Sequence, residues 1–127
     1  MDFYFPTEFG EQVAFVAACA TIVIGLLLLA LPGRAARLYG MGPVEGRREG
    51  YGMLRAFGGF FVGAGLSAIM LAQPTIYMTL GGAFLVAAFG RLLSVLFDRA
   101  ISPVNLATLL VELLLAAMLL AYVFQII

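Results

Sequence analysis

A chain of 127 residues that is 64% hydrophobic and only 11% charged cannot clothe a water-soluble surface, which usually carries charge at about a quarter of its positions. It reads as one compact membrane domain covering residues 1–127. Seven Arg against seven acids leave no net charge, with no His and a single Cys: this argues against a nucleic-acid partner, removes the commonest general base and metal ligand, and excludes an internal disulfide, a CxxC pair or a thiolate metal cage.

The leading segment MDFYFPTEFGE holds three acids and no Arg, and Phe3, Tyr4, Phe5 and Phe9 suit the membrane–water interface. It has no basic n-region, so a cleavable signal is not expected. Val16-Ala17-Ala18-Cys19 imitates a lipoprotein box, but the apolar run follows the Cys instead of preceding it. A spanning helix needs about 20 mostly apolar residues, and four runs supply them. Span one is residues 12–31, closed by Pro32-Gly33. The next loop carries Arg34, Arg37, Arg47 and Arg48; within it, Pro32–Tyr39 has the makings of a short surface helix with Pro32 in its first turn. Span two covers 51–72 up to Gln73-Pro74, span three 75–97 up to Asp98-Arg99, and span four 104–127. The short connections after spans two and three make consecutive helices antiparallel neighbours.

Arg accumulates on the cytoplasmic side of a bilayer. The first loop has four Arg and the third has Arg99, while the N-terminal segment and the loop around AQPT have none. The expectation is therefore an all-α, integral membrane four-helix bundle in a bacterial inner membrane, with both termini on the periplasmic side and Arg34, Arg37, Arg47 and Arg48 at the cytoplasmic surface.

Three charges fall inside the spans: Arg55, Arg91 and Glu112. Each costs roughly 2.5–3.5 kcal/mol near a helix centre, and such residues usually face the bundle interior and pair. At about 1.5 Å of rise per residue they lie roughly 6, 10 and 12 Å from the cytoplasmic ends of their spans. Arg55 heads the row Gly59, Gly63, Ser67, and Arg91 follows Ala83 and Ala87, with Ser94 one turn on. Glu112 shares a row with Asn105, Thr108 and Ala116. Small and polar residues mark helix–helix contacts in membranes, so each charge is expected to turn inward. Tyr51 and Tyr39 come near the same level, and Ser94 and Asn105 add polar partners.

Two Arg against one Glu would leave a surplus positive charge suited to an anionic head group, a carboxylate or a quinone carbonyl. That points to a bound lipid or quinone-like molecule, with no other cofactor and no metal site evident. A structural role competes: Glu112 pairs with Arg91 or Arg55 and holds helices in register, or Arg55 snorkels to the interface. Catalytic equipment is sparse, with no nucleophile matched to a base. The leading expectation is a non-catalytic accessory subunit docked, through its charged first loop and aromatic N-terminus, on a larger membrane complex or on copies of itself. The alternative is a membrane enzyme or proton- or redox-linked protein in which Glu112 carries a proton. Transport fits least, since no pair of broken helices is evident.

RAFGG at 55–59, GRLLS at 90–94 followed by Asp98, and VELLLA at 111–116 resemble a family of small four-helix bacterial membrane proteins known only as a domain of unknown function, and more distantly the DoxX-like four-helix proteins. The resemblance runs from about Gly10 to the end. It implies weight on Arg55, Gly58, Gly59, Gly90, Arg91, Ser94 and Glu112, with the glycines as packing positions, and it supplies no activity. Some distant relatives use Cys pairs, which this chain lacks.

Overall fold

In hydrocarbon a backbone must satisfy its own polar groups, so each apolar run closes into a helix. The computed structural model describes residues 6–42 and 47–127. Among them are five helices and no strand: α1 (Phe9–Ala30), α2 (Pro32–Leu38), α3 (Glu49–Leu71), α4 (Pro74–Phe97) and α5 (Pro103–Val123). All but α2 are long and apolar enough to cross a membrane. Prolines open α2, α4 and α5, at positions where a missing N–H leaves no helical bond unmade. The short surface helix expected after span one is α2. The anchors Phe3, Tyr4 and Phe5 lie outside the described residues; Phe9 is exposed and starts α1.

Two boundaries move. The first helix begins at Phe9, ahead of residue 12, and α5 stops at Val123, short of the chain end. Gln125 takes a left-handed φ of 59°, so the Ile126 amide turns back to bond Ala121 O at 2.9 Å, a helix-terminating pattern. The carbonyl of Ile127 then lies against Gly10, which puts the end of α5 beside the start of α1.

The bundle is two tight pairs, α1 with α3 and α4 with α5, joined mainly where α1 meets α5, while α3 and α4 share little contact. The first pair closes at glycine. A Cβ on Gly58 would stand 2.5 Å from Gly25 O and 2.6 Å from Leu29 N, and one on Gly65 would stand 2.9 Å from Ala18 O. Backbones this close need small residues on both sides, and α1 supplies buried Ala14, Ala18, Thr21 and Gly25. In the second pair Gly81 faces the Leu119 side chain, and Tyr77 meets Tyr122 edge-on at 5.5 Å.

Of the expected packing positions, Gly58 holds its place, and the others do not. Gly59, Gly63 and Ser67 are exposed, as are Ala83, Ala87 and Gly90. Among the described residues, no atom of another helix lies within 4 Å of where a side chain would start at Gly59, Gly63 or Gly90. The reason is geometric: Arg55 and Arg91 already stand about 60° round the helix from buried Gly58 and Ala88, and each i+4 step along their rows carries about 40° further from the buried face. The true inward rows alternate steps of three and four. They run Gly58, Gly65, Ala68 on α3 and Tyr77, Leu80, Gly81, Phe84, Ala88 on α4.

Candidate functional site

The α4 row that passes Phe84 and Ala88 arrives at Arg91, and the α5 row that passes Leu115 and Ala116 arrives at Glu112. Arg91 Nε donates to Glu112 Oε1 at 2.7 Å, and Nη2 donates to Oε2 at 3.3 Å. This two-point grip uses the planar fork of the guanidinium. Nη1 donates to Asn105 Oδ1 at 2.7 Å. Asn105 is itself fixed, since its Nδ2 donates to Ala100 O at 2.6 Å and its backbone amide to Ser102 Oγ at 3.3 Å. Ser102 is the N-cap of α5. The turn between α4 and α5 thus exists partly to hold Asn105 against Arg91. The Glu112 side chain is 12% exposed and that of Arg91 25%.

Tyr39, just after α2, completes the group. Its hydroxyl bonds Thr108 Oγ1, and its ring lies 5.7 Å from the Arg91 guanidinium carbon, within cation–π range. Thr108 Oγ1 already donates to Val104 O at 2.8 Å, so its single proton is committed and Tyr39 is the donor between them. These side chains form one corner of a cavity of about 590 Å³. Its other walls are apolar: Ile24 and Leu28 from α1, Leu54, Phe57 and Phe61 from α3, Phe84 from α4 and Leu115 from α5. Phe61 and Phe84 meet edge-on at 5.9 Å, across the sparse α3–α4 seam.

Three expected members, Arg55, Tyr51 and Ser94, stand outside the cavity wall. Arg55 is exposed and donates from Nη1 to Leu29 O at 2.6 Å, in the last turn of α1; it serves an unpaired helix-end carbonyl and does not line the cavity. The surplus positive charge expected from two Arg is therefore not assembled there. Tyr51 stands over Gly33 of α2. Ser94 contributes its carbonyl, which accepts from the Asp98 and Ala100 amides and ends α4. Arg34, Arg37, Arg47 and Arg48 are exposed, with Arg47 3.5 Å from Glu49, a surface pair of little energetic weight.

Sequence reasoning placed Tyr39 near the charges but missed its contact with Arg91, and it missed the aromatic wall altogether. Phe57 and Phe61 are four residues apart, and Phe84 is seven before Arg91, spacings that share a helix face. That signal was readable but could not be told from lipid-facing Phe. The arrangement offers fixed hydrogen-bond donors at the end of an apolar slot. No group of three or more His, Cys, Asp or Glu able to hold a metal ion occurs among the described residues.

No curated protein and no solved structure matches the chain. The model of the family described as a domain of unknown function, DUF4345, matches residues 12–123, and the chain belongs to that family.

Proposed function

We propose that this chain is a non-catalytic, multi-pass protein of the bacterial inner membrane that holds a lipid or quinone-like amphipath beside Arg91 and Glu112 and acts as an accessory subunit of a larger membrane complex. The cavity carries the reading: about 590 Å³, apolar on most sides, with its polar groups gathered at one corner. Ligand sites commonly have this size and this division of labour, with few polar groups fixing orientation. Glu112 is held at both oxygens by Arg91, which favours a fixed carboxylate over a proton carrier. An orientation with both termini in the periplasm is supported by the exposed Arg34, Arg37 and Arg99 at the end of the bundle that holds the cavity.

Organic extraction and mass spectrometry of protein purified in mild detergent should return one amphipath enriched over bulk lipid. A protein carrying only bulk lipid in proportion to the membrane would sink the ligand reading. For the accessory role, native electrophoresis should show the chain migrating with a larger assembly, and a single free species counts against it.

A further inference from the structure

We infer that the cavity selects an uncharged amphipath whose head presents a hydrogen-bond acceptor, such as a carbonyl, over an anionic lipid with the same tail. The inference rests on reading the cavity as a ligand pocket and names the ligand's chemistry. Among the described residues, the wall carries formal charge only at Arg91 and Glu112, and these neutralise each other through two hydrogen bonds. Arg55, the other intramembrane cation, is turned away to Leu29 O. An anion entering here would meet the Glu112 carboxylate in a medium that screens poorly, or would have to displace it from Arg91. Either course is costly, whereas a neutral head meets no such repulsion.

The hydrogen-bond inventory sets the rest. A guanidinium has five N–H groups; two go to Glu112 and one to Asn105, so two remain at the cavity corner. The Asn105 amide oxygen already accepts from Arg91, which leaves it one lone pair, and the Thr108 proton is committed to Val104 O. The unspent capacity of the guanidinium is donor capacity, and it calls for an acceptor on the ligand. The apolar walls at Leu54, Phe57, Phe61 and Phe84 then receive the tail or ring. A quinone ring and a monoacylglycerol ester both offer this chemistry.

The test is a native mass spectrometry competition on the full chain in detergent, offering decyl-benzoquinone, a monoacylglycerol and the phosphate ester of that same monoacylglycerol. At least one neutral probe should bind about tenfold tighter than the phosphate ester, and the better of the two identifies the source of the acceptor. Leu54→Trp, which narrows the slot without touching a charge, should abolish that binding. Glu112→Gln, which leaves Arg91 uncompensated, should reverse the preference toward the phosphate ester. Equal or tighter binding of the phosphate ester by the unaltered protein would overturn the neutral-head assignment and leave the pocket standing. Binding of none of the probes, or binding indifferent to Leu54→Trp, would overturn both.

Discussion

At Arg91, three of the guanidinium's donors meet acceptors from two residues of one neighbouring helix, and one of these, Asn105, is itself held by Ala100 O and Ser102 Oγ. A charge in a membrane helix is tolerated on those terms because the cost of desolvation is offset by attraction and by charge-assisted hydrogen bonds. Leaving either partner alone should therefore be worse than removing both. Arg91→Leu and Glu112→Leu are each expected to lower stability by about 3 kcal/mol, and the double variant to recover most of that loss, as measured by unfolding in detergent. Two near-neutral single variants would show that the pair does not fasten α4 to α5. The double glycine of α3 gives a sharper contrast. Gly58→Val places carbon against the α1 backbone, where a Cβ would already be 2.5 Å from Gly25 O, and should cost about 3 kcal/mol. Gly59→Val meets open space and should stay within about 0.5 kcal/mol. The RAFGG motif itself does not say which glycine matters, because neighbours on a helix are only about 100° apart.

The element that couples the cavity to the surface is α2. It buries Pro32 and Ala36 and exposes Arg34 and Arg37, so it lies along the bundle's end, and the Tyr39 hydroxyl ties its C-terminus to Thr108 on α5. Tyr39→Phe keeps the ring over Arg91 and deletes the tie. Stability is expected to fall by about 1 kcal/mol, with faster amide exchange confined to residues 33–39. Unchanged exchange there would mean that the buried Pro32 and Ala36 hold α2 unaided. The four spans and α2 were legible in sequence because hydrophobic runs and proline punctuation are local signals. The end of α5 was not, since QII is as apolar as the helix before it and only the backbone turn at Gln125 stops it.

For the whole molecule, two closely packed pairs are joined mainly where α1 meets α5, and the cavity lies between them with walls from both pairs. The unequal spread of Arg between the two ends predicts orientation. On a Cys19→Ala background, which removes the chain's one thiol, Gln125→Cys should react with a membrane-impermeant maleimide on intact spheroplasts. Arg37→Cys should react only after lysis, and the opposite pattern would reverse the topology.

The sequence by itself determined the number of membrane helices, the short surface helix, and the nearness in depth of Arg91 and Glu112, because span length and helical rise are properties of each segment alone. The Glu112 row with Asn105 and Thr108 was also readable, since positions seven and four residues apart stay close to one face. Only the tertiary structure decided that Gly58 and not Gly59 meets Gly25, that Arg55 leaves the cluster for Leu29 O, and that Phe57, Phe61 and Phe84 wall a cavity. Those outcomes depend on how each helix is rotated against its neighbours. In a bilayer, where lipid and protein interior are equally apolar, hydrophobicity does not fix that rotation, and backbone fit and paired charge do.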